Sequence, residues 1–163
     1  MSETIRIGNC SGFYGDRLAA AKEMIDGGPI DVLTGDYLAE LTMAILYNQM
    51  QSRGKNVGYV GTFLKQVKDV AQDCKEKNIK IVTNAGGLNP KSMAIEIENI
   101  LQELNIKMKV AWIDGDDIKD DIEQLQKEGE PFINIDRGIP LSESSNKVVT
   151  ANTYLGAWGI KAA

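Results

Sequence analysis

The feature that most constrains the fold is a repeated order of strand-like run, loop and helix-like segment. Residues 5–8, 31–35 and 79–84 are short β-branched runs, and each is followed by a polar or glycine-containing loop and then a helical pattern. Strands that alternate with helices imply βαβ units with right-handed crossovers. We therefore predict an α/β fold: a mostly parallel β-sheet flanked by helices and built from βαβ units.

The chain length and the apolar content predict one domain. The chain has 163 residues, of which 43% are hydrophobic, enough to bury a core that offsets chain entropy. The last helical pattern reaches the final residue after barely two turns and without a C-cap. We expect a single α/β domain over residues 1–163 that is the N-terminal portion of a longer protein.

Charge and residue usage exclude several function classes. Eighteen Lys and Arg against 23 Asp and Glu give a net charge of −5, which argues against nucleic-acid and anionic-membrane partners. No apolar run is long enough to span a membrane, and two distant cysteines without a framework favour the cytoplasm. The chain has no His, so it offers neither an imidazole base nor a His metal ligand.

Functional residues of open α/β sheets collect in the loops at the C-terminal ends of the strands. The first such loop contains Ser11 and Gly12 as candidate ligand-binding residues, because glycines let backbone N–H groups approach an anion. Its glycine spacing does not match the dinucleotide or P-loop fingerprints, which leaves the cofactor unassigned. A tight turn in which Asp16 caps the next helix explains the pattern equally well. The exposure of Cys10 stays open.

The second loop carries a pair of carboxylates. Asp36 and Glu40 are candidate catalytic residues because a spacing of one helical turn lets both face one cleft for proton transfer or cation binding. We assign no metal, and Tyr37 between them is a candidate ligand-binding residue. Helix capping by Asp36 together with dipole pairing is the alternative interpretation.

The third loop resembles an anion-binding or carbonyl-binding turn. Its candidate ligand-binding residues are Asn84, Gly86, Gly87 and Asn89, which combine free backbone N–H groups with side-chain amides. Asn89 is also expected to cap the following helix, with Pro90 in its first position.

A fourth loop is expected after a strand at residues 109–113. Asp114 and Asp116 in this loop are candidate ligand-binding residues, because clustered acids at a strand end need a cation, a hydroxyl group, a cap or solvent. Residues 131–141 predict an extended arm or hairpin, and residues 148–152 a last strand.

Two helices carry further expectations. The helix over residues 37–50 is apolar on nearly all sides, which favours burial against a second copy or a partner subunit. Thr62 is expected to cap an amphipathic helix that runs to about residue 77 and includes Cys74 in its core-facing stripe. Trp112 and Trp158 are expected in the core.

Six blocks spread over nearly the whole chain resemble the acyclic terpene utilisation (AtuA-like) family. They read IRIGNCSGFYGDR, DVLTGDYLAELTMAIL, GYVGTFL, KIVTNAGGLNP, AWIDGDD and ANTYLGAWGI. Members of this family are usually longer, and they commonly carry a small non-thiol residue where this chain has Cys10, which weakens a catalytic role for that thiol. The matching loop positions are Ser11, Gly12, Asp16, Asp36, Tyr37, Glu40, Asn84, Gly86, Gly87, Asn89, Asp114 and Asp116.

The resemblance implies a link to the breakdown of isoprenoid or branched-chain acyl-CoA. It does not supply a reaction, and two hypotheses stay open: the polar loops at the strand ends favour the first, and the apolar helix over residues 37–50 favours the second. In the first, the chain is an enzyme domain that acts on an acyl-CoA or a related carboxylic acid. In the second, it is a non-catalytic ligand-binding or scaffold subunit of a larger complex.

Overall fold

The computed structural model describes residues 4–163, which form two compact units. The first unit comprises residues 4–113 together with Ala163, and the second comprises Asp114–Ala162. The elements of the first unit are β1 (Ile7–Asn9), α1 (Ala20–Asp26), β2 (Val32–Gly35), α2 (Glu40–Arg53), α3 (Gly61–Glu76), β3 (Lys80–Thr83) and α4 (Pro90–Glu103).

The strands of the first unit form one parallel sheet in the order β1-β2-β3. Ile7 pairs with Val32, and Val32 pairs in turn with Lys80. The connection from β1 to β2 contains α1, and that from β2 to β3 contains α2 and α3. The predicted α/β class with a parallel sheet is therefore confirmed.

Two apolar clusters hold the helices on the sheet. One packs α1 and α3 against β2 and consists of Cys10, Ala21, Ile25, Leu33, Val70, Cys74 and Ile79. The other joins α2, α3 and α4 and consists of Tyr37, Leu46, Val60, Phe63, Val67, Ala71, Ala85, Met93, Leu101 and Ile106. Because α3 contributes to both clusters, it ties the sheet to the loops at its C-terminal edge.

Of the four side chains considered as helix caps, one caps its helix and three do not. Asn89 caps α4 as expected, since its side chain accepts a hydrogen bond from the backbone N–H of Ser92 at 3.1 Å. Asp16, Asp36 and Thr62 do not cap α1, α2 and α3, whose N-cap residues make no side-chain capping bond. The two acids accept other hydrogen bonds, Asp16 from the backbone N–H groups of Gly12 and Arg17 and Asp36 from the side chain of Asn84.

Two predicted strands are absent from the described residues. Residues 109–113 lie outside the sheet, although Val110 within this segment and Met108 just before it pack against the apolar clusters. Residues 148–152 contribute only an isolated antiparallel bridge between Asp117 and Asn152. An apolar run without a ladder partner is not a strand, and a sequence pattern does not reveal whether that partner exists.

The second unit is formed from short elements. It contains α5 (Ile122–Lys127), α6 (Trp158–Ala162) and the 3₁₀ helices Lys119–Asp121 and Leu141–Glu143. The backbone N–H of Asn134 donates to the carbonyl of Ile139 at 2.8 Å, which closes a turn within residues 131–141, where the structure has no strand.

Both tryptophans contradict the prediction that they lie in the core. Trp158 is 78% exposed, and Trp112 in the first unit is 45% exposed. Across residues 4–163, no helix has both the length and the apolar character needed to cross a bilayer.

Candidate functional site

The loops that follow β1, β2 and β3 meet at one edge of the sheet. The backbone N–H of Asp36 donates to the carbonyl of Ser11 at 3.0 Å, which joins the first loop to the second. The backbone N–H of Tyr37 donates to Oδ1 of Asn84 at 2.9 Å, which joins the second loop to the third. Three of the four predicted loops therefore converge, as parallel strands require.

The centre of this edge is the pair formed by Asp36 and Asn84. Nδ2 of Asn84 donates to Oδ1 of Asp36 at 2.6 Å, and both side chains are exposed. Because the Tyr37 N–H fixes the Oδ1 atom of Asn84, the amide group is held at both ends. The Oδ2 atom of Asp36 makes no hydrogen bond to any described residue, so an oriented carboxylate presents an acceptor to solvent.

Glu40 does not stand one helical turn beyond Asp36. The helix α2 begins at Glu40 itself, and Ala39 before it is extended, with φ −152° and ψ 170°. The spacing argument that paired the two carboxylates was therefore wrong. Glu40 is exposed in the first turn of α2, where the positive end of the helix dipole favours its charge.

Tyr37 connects the site to the interior of the first unit. Its hydroxyl donates to Oε1 of Gln66 at 2.5 Å, and its carbonyl accepts from Oγ1 of Thr42 at 2.9 Å. Its ring stands edge-on to Phe63, with 5.7 Å between the centroids. Burial raises the pKa of the Tyr37 phenol above its ordinary value, so the hydroxyl stays protonated. The buried Tyr37 side chain therefore anchors the loop after β2 to α3 and is not itself exposed to a ligand.

Gln66 is a residue of this network that the sequence interpretation missed. It lies on the core-facing side of α3, at helical spacing with Phe63, Val67 and Val70, and it is 2% exposed. A polar residue inside an otherwise apolar stripe is the signal that could have identified it.

The first loop uses its polar groups internally. Ser11 is buried, and its Oγ donates to the carbonyl of Phe13 at 3.0 Å. The carboxylate of Asp16 accepts from the backbone N–H groups of Gly12 at 3.0 Å and Arg17 at 2.7 Å. These bonds lower the pKa of Asp16, and they occupy the Gly12 N–H that the sequence suggested for an anion.

The glycines of the third loop permit close packing. A Cβ atom on Gly86 would lie 2.7 Å from Cβ of Pro90, and Gly87 has a positive φ of 53°. The N–H of Gly87 donates to the carbonyl of Asn84 at 3.2 Å. This turn holds Asn84 in place beside Asp36.

Asn89 fastens a second segment to the third loop. Besides capping α4, its Nδ2 atom donates to the carbonyls of Lys55 at 2.8 Å and Val57 at 3.2 Å. Its oxygen and its amide nitrogen thus both have protein partners, which gives this side chain a structural task.

The fourth predicted loop lies in the second unit. Asp114 and Asp116 belong to the second unit, and residues 109–113 form no strand that would bring them to the sheet edge. Asp116 accepts from Nδ2 of Asn152 at 3.0 Å, and Asp114 is exposed. For Asp114 and Asp116, the expectation that four loops meet at one edge therefore stays a prediction.

Outside the sheet edge, we searched the described residues for metal-binding clusters and surface depressions. Across residues 4–163, no three Cys, Asp or Glu side chains are grouped so as to hold a metal ion.

Two surface depressions lie away from the Asp36–Asn84 pair. A depression of about 350 Å³ lies beside Glu96 and Glu103 on α4. Another of about 370 Å³ lies between Arg6, Asp31 and Lys77, near the N-terminal ends of the strands and away from Asp36.

A comparison with protein families adds one finding. The family model described as "Acyclic terpene utilisation family protein AtuA" matches residues 5–163. No curated protein and no solved structure gives a significant match to the chain.

Proposed function

The chain belongs to the acyclic terpene utilisation (AtuA) family, and from this premise we propose that it is an enzyme domain that transfers a proton on an acyl-CoA or a related carboxylic acid. Asp36 is the proposed general base, and Asn84 the proposed partner of the substrate oxygen. The family description names acyclic terpene utilisation, and the proposed substrate class of isoprenoid and branched-chain acyl groups follows from what that resemblance implies. The proposed chemistry is argued from the geometry of the strand edge.

The observation that carries this proposal is the oriented, exposed carboxylate of Asp36. A general base must be held in position and must keep a free acceptor oxygen toward the substrate. Asn84 orients the Oδ1 atom through the 2.6 Å hydrogen bond, and Oδ2 keeps its acceptor capacity. The amide nitrogen of Asn84 carries two hydrogens, of which one is engaged by Asp36. The other can donate to a carbonyl oxygen.

The proposed step balances without a cofactor. A thioester carbonyl acidifies the neighbouring C–H bond, and the Asp36 carboxylate takes that proton while the electron pair moves into the carbonyl as an enolate. Asn84 would stabilise the developing oxygen charge. The protonated Asp36 then returns a proton to carbon. We retain Glu40 as the second proposed catalytic carboxylate, because it is exposed and follows the Asp36 loop directly.

Deuterium exchange tests this proposal. The protein is incubated in D₂O with a branched-chain or isoprenoid acyl-CoA, and the mass of the acyl group is followed. The matched control is the same thioester without protein. We expect the mass to increase only with protein present. Acyl-CoA that binds but gains no deuterium would contradict the proposed proton transfer.

A second candidate function is a non-catalytic ligand-binding or scaffold subunit. The observation that favours it lies on α2, where Leu41 is 72% exposed and Ile45, one turn later on the same face, is 37% exposed. Exposed apolar groups at helical spacing are typical of an interface with a second copy or a partner. Light scattering and melting curves with and without acyl-CoA separate the two functions. Self-association without stabilisation by acyl-CoA would favour the scaffold.

A further inference from the structure

One buried amide in α3 is not explained by packing. The core-facing stripe of α3 consists of Phe63, Gln66, Val67, Val70, Ala71 and Cys74. Gln66 is as buried as its apolar neighbours, at 2% exposure. A leucine here would bury apolar surface without any polar group to satisfy, whereas a buried amide must be hydrogen-bonded to avoid a desolvation penalty.

The two ends of this amide reach two different loops of the site. Oε1 of Gln66 accepts from the Tyr37 hydroxyl at 2.5 Å, and Nε2 points to the carbonyl of Arg17 at 3.5 Å. Tyr37 belongs to the loop after β2, and Arg17 follows the loop after β1. Gln66 therefore connects both loops to the rigid helix α3.

The connection continues from Tyr37 to the exposed pair. The backbone N–H of Tyr37 holds Oδ1 of Asn84, and Nδ2 of Asn84 holds Asp36. We propose that Gln66 is a positioning residue, which fixes the orientation of the Asn84 amide, and through it of the Asp36 carboxylate, by anchoring Tyr37. Its relevance to catalysis rests on the proposed function, but the positioning itself can be measured without substrate.

The test separates positioning from simple core packing. The double variant Gln66→Leu with Tyr37→Phe removes both partners of the buried hydrogen bond, and an apolar pair of similar shape preserves most of the stability. The residue 37 backbone amide remains, and its hydrogen exchange reports its bond to Asn84. The exchange of the Leu33 amide in β2 serves as the internal control. Gln66→Glu is the matched variant, because burial favours its protonated form, which keeps an acceptor for Tyr37 and a donor for the carbonyl of Arg17.

We expect the residue 37 amide of the double variant to exchange about tenfold faster than in the parent protein, while the Leu33 amide is unchanged. Gln66→Glu is expected to retain the parent rate at residue 37. An unchanged rate at residue 37 in the double variant would overturn the proposal. So would an equal acceleration at residue 37 and Leu33, since that would report a general loss of stability. If the double variant does not fold, hydrogen exchange at residue 37 and Leu33 is measured in Tyr37→Phe alone, with the same expected and contradicting results.

These outcomes are independent of the deuterium exchange into acyl-CoA. A selective change at residue 37 together with no incorporation of deuterium would leave the positioning network intact and contradict only the proposed reaction. Incorporation of deuterium without any selective change would contradict only the role of Gln66.

Discussion

Leu46 occupies the space where a side chain on Gly87 would begin. A Cβ atom built on Gly87 would overlap Cδ1 of Leu46 and would lie 2.9 Å from the carbonyl oxygen of Gly58. Leu46 is fully buried in α2, and Gly87 belongs to the loop after β3. This contact locks α2 against the loop that holds Asn84.

We predict that Gly87→Ala destabilises the protein by about 1–3 kcal/mol, because the added methyl group meets Leu46 and the backbone keeps a positive φ of 53°. Urea unfolding measures this change. The matched control is Gly28→Ala, where no atom lies within 4 Å of the new Cβ. Equal stability of the two variants would contradict the packing described here.

Asn89 is expected to matter for stability through its cap and its two carbonyl contacts. Asn89→Ala should cost at least the roughly 0.5–2 kcal/mol of a lost N-cap. Asn89→Asp keeps the cap acceptor but places an oxygen against the carbonyls of Lys55 and Val57, so it should also destabilise the protein. Thr62→Ala should be nearly neutral because Thr62 caps nothing. Thermal or urea unfolding that ranked Thr62→Ala as the more damaging change would refute this assignment.

We predict that Asp31 makes a contribution to the stability of the folded protein that depends on pH. Hydrogen bonds from the Arg6 side chain and backbone lower the pKa of the Asp31 carboxyl to about 2. Since the pKa is depressed in the folded state, the contribution is present above the unfolded value of about 3.8 and is lost as the pH falls through about 2. Asp31→Asn should therefore lower the melting temperature at neutral pH, and the difference should shrink across this window. The control is Glu98→Gln, an exposed residue; the same pH profile there would contradict the account.

The two thiols are expected to be protected in the native protein. Cys10 and Cys74 are free and buried, and burial raises the pKa of Cys74 to about 11 and that of Cys10 above its ordinary value. A thiol reagent should label both only after unfolding, with Cys10→Ala identifying which signal belongs to which residue. Rapid native-state labelling at Cys10 would show that the loop after β1 is open.

The strands of the sheet were predictable because their sequences are short β-branched runs between turn residues. The same reasoning failed at residues 109–113, since Met108 and Val110 pack inward without a partner for the backbone. The start of α4 was predictable because an asparagine followed by a proline is typical of an N-cap and the first position of a helix. The starts of α1 and α2 were not, because Asp16 and Asp36 have side-chain partners elsewhere.

Of the site, only the proximity of the loops that follow neighbouring parallel strands was predictable from the sequence. Asp36 and Asn84 follow neighbouring parallel strands, so their proximity follows from the sheet, but their hydrogen bond spans 48 positions and no local pattern encodes it. Gln66 was missed because its partners, Tyr37 and Arg17, come from other elements. Asp114 and Asp116 were assigned to the edge through a strand that does not form.

The most direct measurement is deuterium incorporation into acyl-CoA by Asp36→Asn. Asparagine can still accept the hydrogen bond from Asn84, and Asp36 caps no helix, so the melting temperature should stay close to that of the parent protein. The proposed general base is lost, and incorporation should fall by about a hundredfold or more. Deuterium incorporation by Glu40→Gln, measured under the same conditions, tests whether the second proposed carboxylate takes part. Full incorporation by a folded Asp36→Asn variant would contradict the assignment of Asp36 as the base.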